Sequence, residues 1–139
     1  MEPSVETIAN QLTVGAAGEA QTVVTEEQLA FGRGVLSTPS MIDLMERSAI
    51  AAVDAALPQG WTTVGYEVCI RHLAPTALGV EVLARAELLG IEGRRLTFRV
   101  EASNPTRLIG EGTHQRVIVD LSRLQGRAAG GAPDATEQH

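Results

Sequence analysis

Glu46 is the residue that sits least comfortably where the sequence puts it. It lies in Ser37 to Leu57, STPSMIDLMERSAIAAVDAAL, the only long stretch with a helical apolar period. At about 100° per residue, Asp43, Arg47 and Asp54 share one narrow polar stripe, and Glu46 does not join them. Its neighbours at helical spacing are Ile42, Ala49, Ile50 and Val53. A carboxylate among apolar side chains needs a partner or must give up its charge. Either Glu46 has such a partner and can attack a carbonyl or activate water, or it reaches solvent from the edge of the stripe. Two other residues extend that chemistry. Imidazole is the side chain that exchanges protons near neutral pH. His72 stands where an apolar strand face meets a turn, as a proton shuttle or as a cap on a backbone carbonyl. Thr38 opens the helix, either as a plain N-cap or as a hydroxyl beside free N–H donors that suit an oxyanion.

Spacing limits how these residues meet. Eight helical residues rise roughly 12 Å, so Thr38 and Glu46 of one straight helix cannot touch. The expected arrangement is a Glu46–His72 pair with Thr38 orienting the substrate or the nucleophile. Either two subunits contribute to the site, or Thr38 acts at a distance.

The elements that must hold these residues follow from the pattern. Ser37, Thr38 and Pro39 give the helix its start, and Leu57-Pro58-Gln59-Gly60 its stop. The period then switches to two. In Thr62 to His72, Val64, Tyr66, Val68, Ile70 and His72 share one face, and Gly65, Glu67, Cys69 and Arg71 the other. Strands over 80–90, 95–103 and 108–121 follow, joined by short turns that favour antiparallel neighbours. Gly110 and Gly112 in the last strand suggest a bulge or a close backbone approach. Before the helix, Gln21 to Val24 reads as a strand end and Thr25 to Gln28 as a capping box, with a short helix over Glu26 to Phe31. Residues 1–18 read as a loose N-terminal arm, 19–125 as the folded domain, and 126–139 as a disordered tail rich in small residues. One long helix covering an antiparallel sheet is α+β, and a sheet wrapped around one central helix is the hot-dog fold. Open sheet edges favour a homodimer.

Composition removes several function classes. The 139 residues suit one domain, with 44% hydrophobic and only 3% aromatic residues, so aliphatic side chains must fill the core. A net charge of −6 disfavours nucleic-acid binding. Cys69 is the single cysteine, which excludes an internal disulfide framework and any multi-Cys metal site. No metal is expected. No apolar run reaches membrane-spanning length and the N-terminus has no signal-peptide pattern, so a soluble cytoplasmic protein without membrane contact is expected.

A family resemblance joins these pieces. Ser37-Thr38 through Leu44-Met45-Glu46, Cys69-Ile70-Arg71-His72, Ile91 to Leu96, and Gly110-Glu111-Gly112-Thr113-His114-Gln115-Arg116 together resemble hot-dog acyl-CoA thioesterases of the fluoroacetyl-CoA thioesterase-like group. The likeness spans roughly residues 19–124 and rests on order and spacing together. It implies catalytic roles for Thr38, Glu46 and His72, in a homodimer with composite sites. The implied substrate is an acyl-CoA thioester, with coenzyme A as leaving group and no cofactor. By the same likeness Gly65 approaches the substrate with its backbone and Arg116 lies near the acyl pocket. On the residues alone, Gly65 is equally a strand glycine and Arg116 a solvated edge residue. His114 and Cys69 are read as structural. The resemblance also implies an aromatic lid before the helix, but here that stretch holds only Phe31, which points to a short acyl group other than fluoroacetyl. The alternative function is a non-catalytic hot-dog module that binds acyl-CoA or another small apolar ligand.

Overall fold

Thr38–Val53 forms the central helix (α2), and its first turn explains where it starts. Ser37 caps it, its Oγ accepting from the Ser40 N–H at 3.1 Å, and Pro39 fills a first-turn position that needs no donor. One face buries Met41, Leu44, Met45, Ser48, Ala49 and Val53. The opposite face carries the exposed Asp43–Arg47 pair at 2.9 Å. The computed structural model describes residues 3–130.

Five strands curl around α2: β1 (Ala17–Val23), β2 (Trp61–His72), β3 (Glu81–Glu92), β4 (Arg95–Ser103) and β5 (Leu108–Asp120). Their order is β1-β3-β4-β5-β2, every pair antiparallel. Strands β3 and β4 alternate strictly, burying Val82, Ala84, Ala86 and Leu88, then Leu96, Phe98, Val100 and Ala102. These side chains and the buried face of α2 belong to one core. Each large one stabilises the fold by about 1.5–3 kcal/mol. Truncating Phe98 to alanine is expected to cost about 3–5 kcal/mol. This is the α+β, hot-dog arrangement expected from the pattern.

The N-terminal reading is corrected. Residues 1–18 are not a loose arm throughout: Ser4 caps a short helix (α1, Val5–Ala9) that places Ile8 and Ala9 in the core, with Leu12 following. Ile8 and Leu12 stand four apart, a helical spacing that the reading as a loose arm passed over. Strand β1 begins inside the small-residue run at 15–18. Gly18 is needed there, because a Cβ would run into the backbone of α2 at Ala52 and Ser48. The expected helix over Glu26 to Phe31 is a single 3₁₀ turn, Glu26–Gln28, in which Gln28 accepts from the Thr25 N–H. Bridges from Leu29 to Leu36 and from Val35 to Ala77 extend the chain beyond it. At the other end, a further helix (α3, Leu121–Ala128), capped by Asp120, overlaps the start of the expected tail. Residues 131–139 of that tail lie outside the described residues.

Candidate active site

Two side-chain clusters sit on α2, about two turns apart. At its N-terminus Thr38 Oγ1 and His72 Nδ1 share a hydrogen bond at 2.8 Å. Thr38 is free to do this because Ser37, not Thr38, supplies the cap. His72 Nε2 is buried with no hydrogen-bond partner among the described residues. A cleft of about 370 Å³ opens beside the pair, lined by Leu36, Leu73 and Pro75 among others. A buried polar atom without a partner is costly, and His72 also lines this cleft.

The second cluster is built around Glu46. Arg116 Nη1 donates to Glu46 Oε2 at 3.2 Å. The guanidinium is buried and its remaining donors are engaged: Nε reaches Thr63 Oγ1 at 2.8 Å and Nη2 the Thr63 carbonyl at 2.9 Å. His114 completes the group. Its Nδ1 lies 2.9 Å from the Glu67 carbonyl and its Nε2 3.1 Å from Arg116 Nη1. A carbonyl only accepts, so Nδ1 carries the proton and Nε2 offers its lone pair to Arg116. Burial, followed by the neighbouring Arg116 charge, pulls His114 below its ordinary range, which keeps that ring neutral. Burial also lowers Arg116, against the opposing pull of Glu46.

Gly65 faces the same spot. A Cβ there would stand 2.8 Å from Glu46 Oε2, so only a bare backbone lets the carboxylate come this close. Strict alternation would put Gly65 and His72 on opposite faces of β2. The β2–β5 register shifts between Gly65 and Glu67, and the bulge turns both toward α2. Gly110, which a Cβ would drive into Met41, and Gly112, against the Cys69 carbonyl, mark close approaches in β5 as anticipated.

The structure thus places the five expected residues in two groups. Thr38 meets His72; Glu46 meets Arg116 beside Gly65. Within one chain the expected Glu46–His72 pair does not form, because His72 docks at the N-terminal end of α2 and Glu46 lies two turns on. Arg116 is not a solvated edge residue but is 4% exposed. Sequence reading missed the polar roles of His114 and Thr63. The signal for both was parity: His114 stands two residues before Arg116, and Thr63 two before Gly65.

Residues 17–122 match the model of the fluoroacetyl-CoA-specific thioesterase family. The chain belongs to that family. It is 37% identical over 93 residues to the fluoroacetyl-CoA thioesterase of Streptantibioticus cattleyicolor, a span covering 67% of each protein. A solved structure of a fluoroacetyl-CoA thioesterase superposes with a TM-score of 0.81 at 30% identity, covering 88% of this chain and 98% of that one. A thioesterase-superfamily protein of Thermus thermophilus superposes at 0.78 with 29% identity, covering 93% of both chains. The protein is accordingly a hot-dog thioester hydrolase, and the family assignment displaces the reading as a non-catalytic binding module.

Proposed function

We propose that the protein hydrolyses a short-chain acyl-CoA thioester to the free acid and coenzyme A, at a site completed across a homodimer. The observation that carries this is the separation of the two clusters. Each is half of a hydrolytic site: among the described residues Glu46 has an orienting cation but no proton shuttle, and His72 has a buried, unpartnered nitrogen but no carboxylate. A second copy can unite them. Strand β2 pairs with β5 along one side only, and Tyr66 and Val68 on it are exposed. Antiparallel pairing of β2 with its own copy, with the two-fold axis at Cys69, sets Gly65 of one chain opposite His72 of the other. The bulge leaves both on the side facing α2.

In this reading Glu46 attacks the thioester carbonyl carbon, the coenzyme A thiolate leaves, and a mixed anhydride remains. Water then adds to the anhydride, releasing the acid and restoring the carboxylate. His72 of the second copy takes the proton from water and passes it to the coenzyme A thiolate, which restores the neutral imidazole. Thr38 holds the His72 ring at the start of α2. No cofactor is required. Phe31, in the segment before α2, is fully solvent-exposed. A panel of short acyl-CoA substrates with thiol detection reads the activity. Mixing Glu46→Ala with His72→Ala tests the composite site. Heterodimers regain one intact site, so about a quarter of wild-type activity returns if the residues come from different copies, and none if they come from one. An active Glu46→Ala enzyme on every substrate would overturn the reading.

A further inference from the structure

We infer that His114 is a positioning residue whose imidazole, anchored by the Glu67 carbonyl at the β2 bulge, holds the Arg116 guanidinium against Glu46. The inference rests on the reading of Glu46 as the reacting carboxylate.

Arg116 Nη1 has two acceptors, Glu46 Oε2 at 3.2 Å and His114 Nε2 at 3.1 Å. Nε and Nη2 are both fixed by Thr63, so the plane of the guanidinium is set by β2. His114 supplies the contact from within β5 itself. It is 1% exposed, packs 6.4 Å from the Phe98 ring centroid, and stays 3.9 Å from Glu46 Oε2. At that distance it acts on Glu46 through Arg116 rather than directly. Its own orientation comes from the bulge. The carbonyl of Glu67, the residue where pairing with β5 resumes, accepts from Nδ1, which leaves Nε2 as an acceptor aimed at Arg116. A local irregularity in the edge strand thereby gives the donor of Arg116 that faces the reactive carboxylate a second, fixed acceptor. Bulges next to active sites commonly re-aim a side chain in this way. Misplacing Glu46 relative to Gly65, even by a fraction of an ångström, would lower the rate of attack more than the affinity for substrate.

The test compares His114→Asn with His114→Gln in the full-length enzyme. Gln can present an amide oxygen near the position of Nε2 and keep the contact with Arg116. Asn reaches only as far as Nδ1 and keeps the contact with Glu67 alone. The expected result is a kcat lower by about tenfold in His114→Asn with KM within about twofold of wild type, and substantial rescue of kcat in His114→Gln. Adding Arg116→Met to His114→Asn should lower kcat no further than Arg116→Met alone, since both act through one contact. Additive losses, or equal losses in the Asn and Gln variants tracking a lower melting temperature, would make His114 a packing residue and overturn the inference. A wild-type kcat in His114→Asn beside an inactive Glu46→Ala enzyme would overturn this inference alone. Activity in Glu46→Ala would remove the reading beneath it.

Discussion

Thr38 and His72 are 34 residues apart in the chain and hydrogen-bonded at 2.8 Å in the fold. That bond is possible because the helix does not need Thr38 for its own start. Ser37 Oγ already accepts from the Ser40 N–H, and the Thr38 hydroxyl is left to the imidazole.

The division of labour separates stability from activity at adjacent positions. Ser37→Ala removes a cap and should cost about 1 kcal/mol by urea unfolding, with kcat little changed. Thr38→Ala should cost under about 0.5 kcal/mol yet lower kcat at least about tenfold, while Thr38→Ser keeps the hydroxyl and most of the activity. A Thr38→Ala enzyme that loses as much stability as Ser37→Ala would put the cap on the wrong residue.

Two glycines should respond differently to the same methyl group. At Gly18 a Cβ meets the backbone of α2 at Ala52 and Ser48, which cannot yield without moving the helix. Gly18→Ala should therefore destabilise by roughly 1–3 kcal/mol or more. At Gly65 the nearest atom is the end of a flexible side chain, Glu46 Oε2 at 2.8 Å. Gly65→Ala should melt close to wild type but lose most of its turnover, because the carboxylate is displaced. Similar melting losses in both variants would show that Glu46 yields no more readily than the backbone of α2.

How much of this could be read from the sequence depends on which physical rule governed each residue. The central helix, β4 and the misfit of Glu46 follow from periodicity, because burial on one face imposes a pattern. The pairing of site residues does not. A single extra residue in β2 reverses side-chain parity, so Gly65 and His72, opposite by alternation, face the same way in the fold. Arg116 and His114 share parity in β5, but nothing in sequence shows that Thr63 and the Glu67 carbonyl stand ready to satisfy them. Helix α1 was illegible for another reason: it is only five residues long, and Ile8 and Leu12 are too few to separate a helix from a strand.

The Glu46–Arg116 contact should also be visible in stability. Arg116 is buried, whereas Glu46 retains 36% of its side-chain surface in solvent. Glu46→Gln removes the charge that offsets the guanidinium. It should cost about 1–2 kcal/mol, less than the roughly 3–5 typical of a fully buried pair, because water screens the exposed carboxylate. Arg116→Met leaves the carboxylate without its cation, whereas the double variant Glu46→Gln/Arg116→Met retains neither charge and should recover part of the loss. Denaturant melts of the three variants suffice. Strictly additive losses would show that the contact carries no coupling energy.

His114 predicts the direction of pH dependence. Burial, and after it the Arg116 charge, lowers His114 from its ordinary value of 6.5; the Glu67 hydrogen bond and Glu46 act in the opposite sense. The folded protein therefore keeps the ring neutral where the unfolded chain protonates it. Above pH about 6.5 the group is neutral in both states and contributes no slope. As pH falls through that value the unfolded state binds the extra proton, so stability falls, by at most about 1.4 kcal/mol per pH unit, until the folded form protonates too. His114→Gln lacks this proton. The stability difference between wild type and His114→Gln should be level from about pH 7 to 8 and should shrink toward acid from about pH 6.5. Groups away from His114 are common to both proteins, so their contributions cancel to first order in that difference. Unfolding free energies measured in urea at several pH values give the curve directly. A difference that grows as pH falls would mean that the folded protein holds His114 protonated, in conflict with an Nε2 that accepts from Arg116.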